Sequence, residues 1–447
     1  MKKEERKEEE QVSIRDPEIL AVADVLREEL SQRGREKRHS FFKGIFCGVL
    51  AGLLVSVAVV TLLPEVSDQR QTITAQIGSN ASENGLLTGE VKNKLNLLAT
   101  KLNTYYYEDI DVEDLQNGLY KGLLEGVGDK YTAYYTEEEY KEMMESASAS
   151  FSGLGIVLTQ DPDSMQVTVL HVYEDSPANK AGIRAGDMIV QVENIQANSM
   201  ELSELVTHMR GEKGTHVKVK IYRSGEKDYL YFDVVRDVVD VPTVTYKMLT
   251  DEIGLISITE FGAATDEQFA EAVEELEKDG MKKLIVDLRD NPGGMLESVT
   301  NILDQILPKG LLVWTEDKYG NKNEISSDAD CLEIPMAVLI NANSASSSEI
   351  FAGAIRDYDY GTLIGTKTFG KGIVQSIIKL DDGSAIKLTT SKYYTPKGEN
   401  IHGTGIEPDI ELEYEYLNPE ATVYDWKEDN QMQKAVEVLE EQPKPEE

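Results

Sequence analysis

A serine-rich segment at 343–350 carries the side chains of this chain best suited to nucleophilic chemistry. It follows a run of apolar residues typical of a buried strand and precedes a helical pattern. A serine hydroxyl becomes a nucleophile only when a neighbouring group accepts its proton. The alternative role is structural, because Ser346 followed three residues later by Glu349 matches a helix capping box. Taken alone, the segment leaves both roles open.

The candidate proton acceptor is Lys371, which lies between two glycines in the otherwise uncharged segment 368–375. A tight turn with an exposed lysine would also fit this pattern. A lysine can accept a proton only when it is neutral, and free lysine has a pKa of about 10.4. Desolvation in an apolar, glycine-lined pocket lowers that pKa. The segment is therefore compatible with a serine–lysine pair.

A third segment of interest is the turn 290–294, which contains two glycines and follows the apolar strand pattern 284–288. A buried strand, a loop and an amphipathic helix follow one another both here and at 336–356. Two such units predict an α/β core with its functional loops at the strand ends.

The segments 287–294, 343–350 and 368–375, in this order, resemble the carboxyl-terminal processing (tail-specific) serine proteases, S41-type peptidases that carry a PDZ domain. The resemblance extends from about residue 91 to the end of the chain. It implies a core of the ClpP/crotonase-like α/β class and a serine-type endopeptidase that uses no cofactor.

The same resemblance assigns roles to individual residues. It places the nucleophile at Ser346, the general base at Lys371, and an orienting amide at Gln375. Ser347 stands where the family typically has alanine, so serines adjoin the implied nucleophile on its carboxyl side. The implied oxyanion donors are the backbone N–H groups of Ser347 and of Gly293 or Gly294.

Other catalytic chemistries have little support in the sequence. A histidine-based triad would have to use His402, because it is the one histidine in the predicted core. Only Cys47 and Cys331 are present and no HExxH motif occurs, so neither a cysteine-based zinc site nor a zincin site is expected. We therefore predict no metal.

Two segments before the core, 153–156 and 176–187, resemble a PDZ domain. The loop Gly153, Leu154, Gly155 and Ile156 matches the carboxylate-binding loop of such domains. Its backbone N–H groups would hold a free C-terminal carboxylate while the bound peptide adds a strand to the sheet. The expected partners are therefore proteins with free C-termini.

The uncharged apolar stretch 44–63 is long enough to cross a bilayer once. Basic residues precede it and acidic residues follow it, which predicts a cytoplasmic N-terminus and an extracytoplasmic catalytic part at the cell membrane. A cleaved signal peptide is the alternative, although about forty residues precede the stretch and no small-x-small site adjoins Pro64.

Overlapping GxxxG spacings permit helix pairing and hence a homodimer. The net charge of −36 makes nucleic acid a poor partner.

The predicted fold class is thus a multidomain α/β (α+β) chain. Its predicted parts are a cytoplasmic tail (1–40), a transmembrane helix (41–63), a linker (64–89), a helical packing or dimerisation segment (90–150), a PDZ domain (151–236), the protease core (237–424), and a C-terminal helix with an acidic tail (425–447).

Two functions of other classes remain open. One is a catalytically inactive, membrane-tethered PDZ module, which the joint presence of Ser346, Lys371 and Gln375 disfavours. The other is a crotonase-like acyl-transfer or thioester enzyme, which would have no use for a PDZ insertion. We therefore expect a membrane-anchored serine endopeptidase that recognises and processes C-terminal regions of exported or membrane proteins.

Overall fold

The computed structural model describes residues 85–162, 164–418 and 423–441. These residues divide into two compact units, one built from 141–374 with 390 onward and the other from 85–140 with 375–389. Within the described residues, no helix is both long and apolar enough to cross a bilayer. The predicted cytoplasmic tail and membrane span, and most of the linker, lie outside the described residues.

The smaller unit begins with two helices whose starts are set by side-chain caps. The Thr88 hydroxyl accepts the amide of Val91 at the first helix, and the Asp111 carboxylate accepts two amides at the second. The unit continues into a short strand and a third helix. These elements are α1 (Gly89–Tyr105), α2 (Val112–Glu125), β1 (Ala133–Tyr135) and α3 (Glu137–Ala147), the last of which runs on into the larger unit.

The PDZ-like region folds as a small antiparallel sheet with two helices. Ser176 caps its first helix and Gly182 ends it in a left-handed conformation, with φ of +90°. The elements are β2 (Ser150–Gly153), β3 (Ile156–Gln160), β4 (Val167–Val172), α4 (Pro177–Ala181), β5 (Met188–Val192), β6 (Ile195–Gln196), α5 (Leu202–Met209), β7 (His216–Tyr222), β8 (Leu230–Val235) and β9 (Asp237–Asp240). The strand order is β3-β4-β5-β7-β8, and β2 pairs separately with β9.

The core is a mainly parallel sheet with strand order β10-β11-β12-β15-β16-β19, in which only the β10–β11 pairing is antiparallel. Its elements are β10 (Val244–Met248), β11 (Ile253–Ile258), α6 (Thr265–Lys278), β12 (Lys283–Asp287), α7 (Leu296–Ile306), β13 (Gly310–Asp317), β14 (Lys322–Ser327), β15 (Met336–Ile340), α8 (Ser347–Asp357), β16 (Gly361–Gly365), β17 (Ile373–Lys379), β18 (Ala385–Tyr394), β19 (Ile410–Glu411) and α9 (Asn430–Glu441).

Both faces of this sheet are covered, which explains why its central strands are predominantly apolar. Alternate residues such as Leu284 and Val286 of β12 pack with α6, α7 and α8 in the main hydrophobic cluster. Their neighbour Ile285 packs with α9 on the opposite face. The loops that follow β12 and β15 meet at one edge of the sheet, because these parallel strands are direct neighbours.

A second sheet is built around β18. In the larger unit, its residues 391–394 pair with β13, and Tyr394 stacks on Trp314 with ring centroids 4.0 Å apart. In the smaller unit, its residues 385–387 pair antiparallel with β1. This last pairing joins positions about 250 residues apart in sequence.

Candidate active site

Ser346 lies at the start of α8, in the loop that leaves the carboxyl end of β15. Its backbone has φ of +54° and ψ of −114°, a conformation that is strained for any residue with a side chain. Such strain costs about 1–3 kcal/mol and is found preferentially at functional sites. A serine that only capped a helix would not require this conformation, since N-caps normally lie in the β region.

The three neighbouring serines are each tied to the loop that follows β12. Their hydroxyl groups donate to backbone carbonyls: Ser344 to Leu288 at 2.7 Å, Ser347 to Gly294 at 2.8 Å, and Ser348 to Asn291 at 2.9 Å. Within the described residues, no bond of this kind engages the Ser346 hydroxyl. The structure thus separates Ser346 from the adjacent serines, which the sequence pattern alone could not do.

The carboxylate of Glu349 joins the serine segment to the lysine segment. Its Oε2 accepts the backbone amides of Ser346 at 2.9 Å and of Lys371 at 2.8 Å. Its Oε1 accepts the amide of Gly370 at 2.7 Å and the hydroxyl of Thr368 at 2.6 Å. Burial raises the pKa of the Glu349 carboxyl, and these four hydrogen bonds act in the opposite direction. Glu349, the acidic member of the capping box, therefore also holds the backbone of Lys371 beside the backbone of Ser346.

Tyr393 forms a second link between the same two segments, which the sequence analysis missed. Its hydroxyl lies 3.1 Å from the carbonyl oxygen of Ser346 and 2.5 Å from that of Lys371. The ring is buried in the main hydrophobic cluster. No local pattern distinguishes this tyrosine from others in the strand, so only its tertiary position reveals the role.

The glycine turn after β12 packs directly on the serine. A Cβ atom at Gly293 would lie 2.8 Å from Cβ of Ser346 and 2.9 Å from the amide nitrogen of Ser347, so no other residue fits. The Gly293 amide itself donates to the Asn291 side chain at 2.9 Å. Within the described residues, the amides of Gly294 and Ser347 have no hydrogen-bond acceptor. Of the two glycines named from the sequence, Gly294 is therefore the one whose amide has no acceptor in this part of the chain.

Gln375 belongs to the smaller unit, where its side chain is buried at 3% exposure. Its Nε2 lies 3.4 Å from the hydroxyl of Thr389.

The rival base His402 is exposed, and its ring forms no hydrogen bond with the described residues. A buried Ser-His-Asp arrangement around His402 is therefore not supported. In the described part of the chain, no group of three or more histidine, cysteine or acidic residues could hold a metal ion.

The four residues of the predicted carboxylate-binding loop join β2 to β3. Gly153 is the last residue of β2 and pairs with Asp237, and Ile156 begins β3, so only Leu154 and Gly155 form the turn. Gly155 has φ of +76°, and a Cβ there would lie 2.3 Å from that of Ser176. A glycine is therefore required at this turn, while the binding of a carboxylate by these amides remains a prediction.

Comparisons with known proteins cover the same regions. The family model described as Peptidase family S41 matches residues 252–412, and the PDZ domain model matches residues 152–234. A "Probable CtpA-like serine protease" of Staphylococcus aureus (strain bovine RF122 / ET3-1) is 33% identical over 397 residues, covering 87% of this chain and 77% of the relative. The "Carboxy-terminal processing protease CtpA" of Bacillus subtilis (strain 168) is 36% identical over 329 residues, covering 73% and 70%.

Among solved structures, the photosystem II D1 C-terminal processing protease matches with a TM-score of 0.44 and 28% identity, over 77% of this chain and 90% of that one. The two curated relatives share both identity and length with this chain. On that basis, the chain belongs to the carboxy-terminal processing serine proteases of peptidase family S41.

Proposed function

We propose that this chain is a membrane-anchored endopeptidase that cleaves the C-terminal regions of exported or membrane proteins, with Ser346 as nucleophile and Lys371 as general base. The observation that carries the proposal is the Glu349 carboxylate, which hydrogen-bonds the amides of both residues. The strained Ser346 backbone supports it independently.

In the proposed reaction, neutral Lys371 accepts the hydroxyl proton of Ser346 as the serine oxygen attacks the substrate carbonyl carbon. The resulting oxyanion accepts hydrogen bonds from the amides of Ser347 and Gly294. The lysine then gives its proton to the departing amine, and an acyl-enzyme remains. A water molecule, deprotonated by the same lysine, hydrolyses the acyl-enzyme and restores Ser346.

Replacement of the lysine tests this mechanism. Activity of the parent should rise with pH, because only the neutral amine acts as a base. Lys371→Arg should be inactive at every workable pH, because arginine stays protonated. Turnover retained in Lys371→Arg but lost in His402→Ala would contradict the proposal and favour a histidine base.

We further propose that the PDZ-like region selects substrates by their free C-termini. The left-handed turn at Gly155, with φ of +76°, supports this role, because successive backbone N–H groups in such a turn can face one carboxylate. Strand β3 also lies at an edge of its sheet within the described residues, where a peptide strand could be added.

The membrane anchor and the homodimer are also proposals. The apolar stretch 44–63 supports the anchor, and digestion of intact cells from outside should remove the PDZ-like and core regions while sparing an N-terminal fragment. Survival of the core in that experiment would reverse the orientation.

Leu95, Leu98 and Leu102 of α1 are between 37% and 49% exposed, which supports pairing through this helix. Light scattering on the detergent-solubilised chain should give a dimer mass, and a monomer mass would exclude pairing.

A further inference from the structure

We propose that Asp129, in the loop after α2, is a positioning residue for catalysis. Acting through the hydroxyl of Thr389, it fixes which end of the Gln375 carboxamide is left to accept a hydrogen bond. The inference rests on the proposed function and on the family resemblance, which gives Gln375 the role of orienting the lysine base. It gives the N-terminal helical segment a part in catalysis that its sequence pattern does not indicate.

Three hydrogen bonds within the smaller unit define the arrangement. The Oγ1 of Thr389 lies 2.6 Å from Oδ2 of Asp129 and 3.4 Å from Nε2 of Gln375. The hydroxyl of Thr132 reaches the same Asp129 oxygen at 2.7 Å. Both Gln375 and Thr132 are buried, so water competes poorly for these contacts.

The direction of these bonds follows from donor and acceptor chemistry. A carboxylate only accepts, so the hydroxyl proton of Thr389 must point to Asp129. The Thr389 oxygen can then only accept from Gln375, and the amide must turn its NH₂ end toward it. The two ends of a carboxamide have nearly the same shape. The orientation of the Gln375 side chain is therefore decided by which atoms donate and which accept in these hydrogen bonds. The Oε1 of Gln375 is the end left to receive an N–H donor, as the orientation of a lysine requires.

The fold holds Asp129 in place by backbone pairing rather than by chance contact. The Asp129 Oδ1 accepts the amide of Tyr131 at 3.1 Å, closing a tight turn just before β1. In the antiparallel pairing of β1 with β18, Ala133 lies opposite Lys387, two residues before Thr389. The register of this strand pair therefore sets the position of the carboxylate along β18.

The test compares two substitutions of the intermediary. Thr389→Val has nearly the same shape but no hydroxyl, whereas Thr389→Ser keeps the hydroxyl. Each is made in the full-length parent and in a Gln375→Ala background, in detergent. Asp111→Asn is the control, because this carboxylate caps α2 in the same unit but takes no part in the arrangement. The readouts are kcat and KM for a quenched fluorescent peptide with a free C-terminus, and the rate of labelling by a fluorophosphonate.

In the parent, Thr389→Val should lower kcat and the labelling rate about ten-fold, with KM changed by less than about two-fold, because an orienting hydrogen bond is lost. Thr389→Ser and Asp111→Asn should stay within about two-fold of the parent. In the Gln375→Ala background, Thr389→Val should have no further effect, because the two residues act through one contact.

Equal losses from Thr389→Val in both backgrounds, or no loss in either, would overturn the inference. A loss confined to KM, or a Thr389→Ser variant as impaired as Thr389→Val, would do the same. Failure of the proposed function has a different signature: a Ser346→Ala chain that is labelled and cleaves like the parent. An active parent with an inactive Ser346→Ala variant leaves the proposed function standing, whatever the Thr389 variants show.

Discussion

At the scale of single residues, the carboxylate of Glu349 brings the serine and lysine segments together. It lies in the helix that begins directly after Ser346 and accepts the backbone amide of Lys371 from a loop 22 residues further along the chain. Among the described residues its two oxygens accept hydrogen bonds from four donors, two on each oxygen, which favours the ionised carboxylate. The arrangement of the serine and lysine segments is therefore sensitive to the loss of a single acceptor atom from the Glu349 side chain.

We therefore predict that Glu349→Gln lowers kcat/KM by at least about ten-fold, because the amide NH₂ would face two donors and lose charge-assisted hydrogen bonds. The measurement is peptide cleavage, with circular dichroism to verify that the variant is folded. The exposed acid Glu399 is a suitable control, since its carboxylate pairs only with Arg356 among the contacts described. Activity of Glu349→Gln equal to that of Glu399→Gln would contradict the role given to Glu349.

The assignment of the nucleophile among adjacent serines gives a second prediction. Ser346→Ala should abolish cleavage, because no other serine of the segment has its hydroxyl free of a carbonyl partner in the described residues. Ser347→Ala should keep most of the activity at a stability cost of about 1 kcal/mol, because the mechanism uses its amide rather than its hydroxyl. The reverse pattern in a peptide-cleavage assay would move the nucleophile to Ser347.

At the scale of elements, strands and helices with strong local patterns were predictable from the sequence. The strand expected at 284–288 is observed at Lys283–Asp287. The helix expected from Ser346 begins one residue later, because Ser346 itself has the strained conformation. The predicted C-terminal helix is present as α9, and residues 442–447 of the predicted acidic tail lie outside the described residues.

The parts of the site that the sequence did not reveal depend on contacts between distant segments. The pairing of β1 with β18 and the bonds of Tyr393 leave no periodic signal, because each involves a few residues brought together by the tertiary fold. The pairing of Gly153 with Asp237 is a further contact of this kind. Local propensity cannot detect a pairing partner more than eighty residues away.

The start of α9 is anchored to the core by a buried ion pair, which gives the third prediction. Asp429 is fully buried, accepts from Arg289 at 2.9 Å, and caps α9 by accepting the amides of Gln431 and Met432. Burial alone would lower the pKa of Arg289, but the carboxylates of Asp287 and Asp429 raise it above its usual range.

Asp429→Asn should reduce the free energy of unfolding by about 3 kcal/mol, because it leaves the buried arginine with one carboxylate fewer. Urea unfolding followed by tryptophan fluorescence measures this change. Asp425→Asn, an exposed cap four residues earlier, should cost less than about 1 kcal/mol. Equal losses in the two variants would show that the ion pair does not stabilise the junction.

At the scale of the whole molecule, the chain combines a PDZ domain, matched over residues 152–234, with a family S41 peptidase core, matched over residues 252–412. We predict that amidation of a substrate's C-terminus weakens recognition about ten-fold or more, because it removes the anion and keeps every side chain. The comparison is made with matched free-acid and amide peptides at several concentrations. Equal cleavage of the two peptides would show that the free C-terminus is not recognised.

The most direct test of the account is to map the site of covalent labelling by a fluorophosphonate on the full-length chain. The account predicts that mass spectrometry finds the phosphonyl group on Ser346, and that labelling falls to background in Lys371→Ala because the hydroxyl loses its base. Labelling at Ser344, Ser347 or Ser348, or labelling of Ser346 that is unchanged in Lys371→Ala, would contradict the serine–lysine mechanism.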